Sequence, residues 1–460
     1  MAYSRARRPA FRLALLAAVV VVAAGGLWLG GTALLRATGL AVPGGEPTLD
    51  PWRYATPVPT PVEKEPGRPV PPAAPAPPPD GAALQSAVDA LRRDGVGDTA
   101  WVVFDPRSEL TLAGGAADAH MVPASTQKLL TSAAALAALG ADHRFATKAV
   151  AAPGGVTLVG GGDPYLTAEL TPGYPSWASL AALADATAAA LLAGGVSEAA
   201  VTWDDSWFAG TGWNDNWDVD DNLYVTVVGA LAADHGVTAG FRSGTPAADA
   251  AARFAAQLQA RGVQASVGGP APAAADAAVL AEVLSPPLSV VIQECLLDSD
   301  NDTAEVLFRQ VDRARGGDGS LASAHATAPA VLAELGLWTD GMAADDGSGL
   351  SRANRVSPLG LVRVLGLAMR DEAYRPLLSG LPTAGADGTL TRRFNDPAEA
   401  AGRGQVRAKT GSLTGVNTLA GVVRTQSGAQ LAFAFMANNT TDDWAASDWA
   451  DGSAALVAAL

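Results

Sequence analysis

Cysteine is almost absent: Cys295 is the single thiol in 460 residues. A disulfide framework and a multi-cysteine zinc site are thereby excluded. Lysine is nearly as scarce. Only Lys64, Lys128, Lys148 and Lys409 stand among 31 basic residues, the others being arginine. Basic charge of either kind is short, and the formal net charge of −15 excludes nucleic acid as a main partner. The four histidines, His120, His143, His235 and His325, have no metal-ligand spacing and read as surface or helix-end residues. No G-x-S-x-G is present, which argues against an α/β-hydrolase. What is plentiful is apolar: 49% of the chain, against 17% charged, so a sizeable core can be buried and wholesale disorder is excluded. Arginine keeps its proton under working conditions and lysine can lose it, so the few lysines are where proton chemistry is to be sought.

The ends and middle of the chain differ in character. Arg5, Arg7, Arg8 and Arg12 precede an uncharged run from Leu13 to Leu35. As a helix that run would reach roughly 35 Å, enough to cross a membrane, with the basic end on the cytoplasmic side. Residues 1–42 therefore read as a cytoplasmic tip and signal anchor, or as a signal peptide cleaved near Gly31-Thr32-Ala33. The body is expected outside the cytoplasm, anchored to the cell membrane by the N-terminal helix or secreted if that helix is cleaved. Residues 43–80 hold 14 of the 31 prolines and predict an extended stalk, since such a stretch forms neither helix nor sheet.

From residue 81 the patterning predicts packed structure. Ala82–Arg93 and Ser125–Leu139 read as helices, and Ala100–Phe104 with Leu110–Leu112 as paired strands. Residues 146–280 mix short strands with an alanine-rich helix near 178–194. Leu288–Leu297 and Thr303–Arg315 predict two helices joined by a short break. Gln405–Lys409, Leu419–Val423 and Gln430–Met436 alternate as strands, Thr425–Gly428 reads as a hairpin turn, and Asp442–Leu460 as a closing helix. Helices before and after a late antiparallel sheet predict an α+β fold.

Three short patterns carry chemistry. Ser125-Thr126-Gln127-Lys128 opens a predicted helix, Ser299-Asp300-Asn301 lies in the break between two helices, and Lys409-Thr410-Gly411 ends a predicted strand. The composition makes a chance coincidence of all three on the order of one in several thousand. At i and i+3, Ser125 and Lys128 share a helix face. A serine hydroxyl is a weak nucleophile until a base takes its proton, and a lysine shielded from water can be that base. Ser299 can relay a proton to a leaving amine, and the Asn301 amide can hold both Lys128 and a substrate peptide. Lys409 and Thr410 suit a terminal carboxylate, and Gly411 lets the strand backbone approach a substrate. The backbone N–H groups of Ser125 and Ser412 suit an oxyanion hole.

These are the S-x-x-K, S-D-N and K-T-G patterns of serine acyl-transferases. On them, residues 81–460 resemble the low-molecular-mass class C penicillin-binding proteins, bacterial D-Ala-D-Ala carboxypeptidase/endopeptidases. Val122-Pro123-Ala124-Ser125-Thr126, Gly160-Gly161-Gly162-Asp163-Pro164, Asp204-Asp205-Ser206 with Trp213 and Trp217, and Asp346-Gly347-Ser348-Gly349-Leu350-Ser351-Arg352 are similar to family segments. The resemblance implies a penicillin-binding/β-lactamase-like transpeptidase core over 81–145 and 281–460. It also implies an inserted domain region over 146–280, which fills the long gap between Lys128 and Ser299. It implies Ser125 as the acylated nucleophile, Lys128 as base, Ser299 and Asn301 as catalytic partners, and Lys409, Thr410, Gly411 and Ser412 as substrate-binding. The implied substrate is a peptidoglycan stem peptide ending in D-Ala-D-Ala, with β-lactams as covalent inhibitors and no metal or organic cofactor. The alternatives are a β-lactamase-like hydrolase and a non-catalytic wall-binding protein. A hydrolase of that kind needs a base for deacylation, and the near match Glu294-Cys295-Leu296-Leu297-Asp298 lies before Ser299 in predicted helix.

The remaining features have plainer readings. The glycine run 160–162 reads as a tight turn, because no Gly-Lys-Ser/Thr follows it. Cys295 reads as a buried, inert thiol. Trp203, Trp207, Trp213 and Trp217 read as packing within the insertion, and Asp346, Ser348 and Arg352 as a turn flooring the site.

Overall fold

The computed structural model describes residues 76–460 apart from Tyr174. The apolar run Leu13–Leu35 and the proline-rich stretch through residue 75 lie outside the described residues. Among the described residues no helix is long and apolar enough to cross a membrane.

Helix α1 (Gly81–Asp89) starts at Asp80, whose carboxylate accepts from the Ala82 N–H. It stops short of Arg93, because Ala90 and Leu91 close it with tight turns. Strands β1 (Asp98–Asp105) and β2 (Leu110–Gly115) precede α2 (Gln127–Leu139). The middle of the chain carries β3 (Ala146–Ala152), β4 (Gly155–Val159), α3 (Leu180–Ala193) and β5 (Glu198–Asp204). A two-residue pair, β6 (Val237–Thr238) and β7 (Phe241–Arg242), is followed by α4 (Pro246–Gln259), β8 (Gln264–Pro270) and β9 (Val279–Leu284). Helices α5 (Leu288–Asp298), α6 (Asn301–Ala314), α7 (Leu321–Glu334), α8 (Pro358–Arg370) and α9 (Arg375–Ser379) come next. The chain closes with β10 (Val406–Leu413), β11 (Val416–Arg424), β12 (Gln430–Asn438) and α10 (Asp443–Ala458).

Side-chain alternation explains the layering. In β12 Leu431, Phe433 and Phe435 face one core, and Ala432, Ala434 and Met436 face another. In β1 Trp101 and Val103 join the first core, and Ala100, Val102 and Phe104 the second. Successive strand residues point to opposite faces, so a strand apolar at every position must be covered on both sides. The covers are α10 with α1 on one face, and α2 with α5–α8 on the other. The antiparallel sheet between them runs β10-β11-β12-β1-β2. Small residues on the second face, Ala100, Ala432 and Ala434, let α8 approach the sheet, and Phe433 and Phe435 fill the first against Trp449.

The middle segment builds a separate sheet in the order β8-β5-β4-β3-β9, with β8, β5 and β4 parallel and β3 and β9 antiparallel. Its core of Leu158, Val201, Leu183 and Phe254 is covered by α3 and α4. A fourth apolar cluster forms the seam. Phe208, Trp217, Val225 and Val228 from the middle segment meet Val306 of α6 and Leu350. This corrects the expectation for the tryptophans. Trp203 packs beside the insertion's own core, but Trp217 lies in the seam with Trp213 against it. Trp207 lies 4.0 Å from the Arg313 guanidinium and donates its indole N–H to Gln310, both on α6. The reason is that residues after β5 leave their sheet and run along α6.

Phe433 is fully buried, whereas Trp444 is 83% exposed at the start of α10. Phe433→Ala is expected to cost about 3–5 kcal/mol in urea unfolding. Trp444→Ala should stay within about 0.5 kcal/mol. Equal losses would show that the sheet is not the core.

Candidate active site

The expected helix start at Ser125 is instead one 3-10 turn, Ala124–Thr126, running into α2 at Gln127. Ala124 takes a left-handed φ of 45°, an uncommon conformation for a residue with a Cβ. The surroundings enforce it. The Asn438 amide donates to the Val122 carbonyl and accepts the Val122 N–H, at 3.2 and 2.8 Å. The Thr418 hydroxyl donates to the Pro123 carbonyl at 2.8 Å. Strands β11 and β12 thus fix the approach to Ser125.

Lys128 Nζ donates to Ser125 Oγ at 3.1 Å, to Asn301 Oδ1 at 2.7 Å and to the Ser348 carbonyl at 2.9 Å. The side chain is wholly buried, and its pKa is lowered from 10.5 by loss of water, against the opposing pull of Cys295, Asp346, Asp300 and Glu305. Asn301 Oδ1 and the Ser348 carbonyl can only accept. A neutral amine keeps two N–H bonds, which these two acceptors take, and its lone pair is left for the Ser125 hydroxyl. The geometry therefore suits Lys128 to take the Ser125 proton.

The second pattern is a hinge between two helices. Ser299 closes α5 in a left-handed conformation, φ 62° and ψ 37°. Asp300 is extended and caps α6, accepting from the Thr303 N–H and hydroxyl. Asn301 opens α6 and donates its amide to the Tyr224 carbonyl at 3.1 Å. The third pattern lies within β10 and not at its end. Lys409 Nζ donates to Ser299 Oγ at 2.8 Å and to the Thr410 carbonyl at 2.9 Å. Burial first, and Lys128 second, hold its pKa well below that of a free lysine.

Ser125, Ser299, Asn301 and Ser412 line a cleft of about 720 Å³, together with Tyr224 and Arg352. Lys128, Lys409 and Gly411 are buried behind it. Thr410 is half-buried, its hydroxyl bonded to that of Thr389 at 2.8 Å. Gly411 has no room for a side chain: a Cβ there would stand 2.9 Å from the Ser125 nitrogen and 2.2 Å from Thr418 Oγ1. That contact sets the strand against the serine turn.

The Asp346–Arg352 run floors the site. Its Gly347 and Ser348 N–H groups donate to Glu305, at 3.2 and 2.7 Å. Burial, with Asp346 nearby, pushes the Glu305 carboxyl up to about 8. Glu305 was absent from the sequence reading. Its signal was a carboxylate four residues beyond Asn301, one helical turn along the same face. His235, partly exposed in the turn Asp234–Gly236, brings its Nδ1 to 3.3 Å from Asp300 Oδ2. Asp302, two residues beyond Asp300, pairs with Arg242 and accepts the Thr226 N–H at 2.7 Å. Cys295 is buried, and burial pushes its thiol up to about 12.

The sequence profile of the D-Ala-D-Ala carboxypeptidase 3 (S13) family matches residues 84–238 and 222–460. The chain is 38% identical to a carboxypeptidase of Mycobacterium tuberculosis over 335 residues, 70% of this chain and 72% of that protein. It is 36% identical to carboxypeptidase DacB of Mycolicibacterium smegmatis over 398 residues, 83% of this chain and 85% of that protein. Its fold is similar to that of penicillin binding protein 4 of Haemophilus influenzae, with a TM-score of 0.64 at 23% identity, over 79% of this chain and 94% of that one.

Gly411→Ala is expected to slow reaction of Ser125 with a β-lactam by about 100-fold, the scale of a 1 Å misplacement. Stopped-flow acylation with a fluorescent penicillin measures it, and a loss under about threefold would refute the close-approach argument. Because the Lys128 pKa is lowered, the base form persists to lower pH than in an exposed lysine. The acylation rate should fall as pH drops through a limb lying below 10.5. Lys128→Arg should remove that limb along with the activity.

Proposed function

The chain belongs to the D-Ala-D-Ala carboxypeptidase 3 (S13) family, and from that premise we propose how its residues perform the reaction. It is a serine-type D-Ala-D-Ala carboxypeptidase working through an acyl-enzyme and inhibited by β-lactams. Ser125 Oγ attacks the carbonyl of the penultimate D-Ala while Lys128 takes its proton. The C–N bond breaks, and the departing D-Ala nitrogen receives a proton through Ser299, which sits on Lys409. Water then hydrolyses the ester, restoring Ser125. When the acyl donor is joined through a cross-bridge, the same steps open the cross-link. A β-lactam presents its own amide to Ser125, and its tethered leaving nitrogen stays in the cleft.

The observation that carries this reading is the convergence of all three patterns on one lysine network. Lys128 touches Ser125 and Asn301, and Lys409 touches Ser299. Lys409 lies wholly buried behind Ser299. Its charge therefore reaches a substrate carboxylate through the hydroxyl and the β10 backbone, and not as a free ammonium. A rapidly turning-over β-lactamase needs a carboxylate free to activate water. Glu305 and Asp346, the carboxylates packed around Lys128, cannot be that group, because both oxygens of each are taken by N–H donors.

Penicillin treatment followed by mass spectrometry is expected to add one penicilloyl group at Ser125, and none in Ser125→Ala. The same enzyme should release D-Ala from a peptide ending in D-Ala-D-Ala. Sustained turnover of a chromogenic cephalosporin would replace this reading with the β-lactamase one.

We further infer that the body works outside the cytoplasm, held at the membrane by the Leu13–Leu35 run. The location of cross-linked wall and the arginines ahead of that run support it. An alkaline phosphatase fused after residue 80 should be active in cells. An inactive fusion overturns this part alone.

A further inference from the structure

We propose that Trp217, in the segment between the first and second patterns, is a positioning residue for the base: its indole N–H, acting through the Asp346 carboxylate and the Ser348–Gly349 peptide, holds the carbonyl that Lys128 donates to. This rests on the acyl-enzyme reading above, and no part of that reading assigns Trp217 a role.

Each link is short. Trp217 Nε1 donates to Asp346 Oδ2 at 2.9 Å. Asp346 Oδ1 accepts the Gly349 N–H at 2.8 Å. That N–H and the Ser348 carbonyl belong to one planar peptide, so fixing the first aims the second. The Ser348 carbonyl accepts from Lys128 Nζ at 2.9 Å. The Ser351 N–H and the Asn354 amide complete the ring of donors around Asp346, at 2.6 and 2.7 Å. Trp217 is held rigidly, its ring edge-on to Trp213 at 5.1 Å and packed with Val306 and Leu350. It does not line the cleft, so it acts through the loop and not on substrate.

The electrostatic consequence has a definite sign. The groups facing Lys128 are Cys295 on α5, Asp300 in the hinge, Glu305 on α6, Asp346 in the loop and Lys409 on β10. Asp346 favours the ammonium form, and an N–H donated to Asp346 draws off part of that negative charge. Removing the donor leaves more of the charge facing Lys128. The lysine then holds its proton to higher pH.

The test is the rate of penicilloyl-Ser125 formation against pH in the whole chain. Two replacements are used, Trp217→Phe and Trp217 to 3-benzothienylalanine, which keeps the fused ring and replaces the N–H by sulfur. In both, the acid limb should move up by roughly half a pH unit, about a threefold loss on its acid side, with the alkaline plateau within twofold. Asp346→Asn should move the limb the other way. An unmoved limb in a folded Trp217 variant, or an equal loss at every pH, overturns the proposal. If Trp217→Phe does not fold, the benzothienyl protein decides. If the unaltered protein is not acylated at all, the acyl-enzyme reading fails, and this inference fails with it.

Discussion

The site depends on keeping an amine out of water. Lys128 is wholly buried, and the loss of water lowers its hold on a proton. An unsatisfied ammonium there would be costly, on the scale of several kcal/mol. The structure meets that cost with three acceptors drawn from three different stretches of chain: Ser125, Asn301 and the Ser348 carbonyl. None is close to Lys128 in sequence except Ser125. The reactive geometry therefore exists only when the fold is complete, and the nucleophile turn, the α5–α6 hinge and the glycine-rich floor are bound together by one nitrogen.

The second lysine extends the same logic. Lys409 is buried as deeply and lies close enough to feel the charge of Lys128. Two neighbouring ammonium groups cannot both be comfortable in a dry site, and Lys128 adds to the burial that lowers Lys409's hold on its proton. Each also carries a serine: Lys128 bonds Ser125 and Lys409 bonds Ser299. In the proposed mechanism one amine removes the proton from the attacking oxygen, and the other stands behind the hydroxyl that serves the leaving group. Arginine could not take the first role, because its proton does not leave. A chain that uses arginine almost everywhere else retains lysine at these two positions.

The parts of this arrangement that sequence made legible were those with local signatures. Strand β1 showed in a short apolar run and β12 in the run beyond the Thr425–Gly428 turn, Ser299-Asp300-Asn301 in the break between two helical patterns, and Ser125 and Lys128 in their i, i+3 spacing. What stayed hidden depended on tertiary placement. The 3-10 turn at Ser125 is imposed by Asn438 and Thr418, some 300 residues away, and no local preference could announce it. Glu305 resembled any acidic residue on a helix until its oxygens were seen to close on two backbone N–H groups of a distant loop. Trp217 sat in a cluster of tryptophans whose density suggested packing within the insertion. The seam it fills belongs to both parts of the chain, and only the partner surface, Val306 and Leu350, reveals it. His235 carried no ligand spacing because its partner, Asp300, lies in another element.

The long segment between Lys128 and Ser299 is therefore more than a passenger on the peptidase core. It touches the hinge residues one after another: His235 meets Asp300, the Tyr224 carbonyl accepts from Asn301, and the Thr226 N–H with Arg242 holds Asp302. Three consecutive residues of one short turn are gripped by groups from a single inserted stretch. Asn301 is the member that bonds Lys128, so its side chain is bridged between the base on one side and the inserted backbone on the other. A displacement of the segment by even 1 Å would have to break one of those two bonds. Bonds of this kind are short-ranged and directional, so the loss would be abrupt, not graded. The segment and the core thus act as one catalytic scaffold, and the physical basis of that unity is the few polar contacts around residues 300–302, supported by the apolar seam beside them.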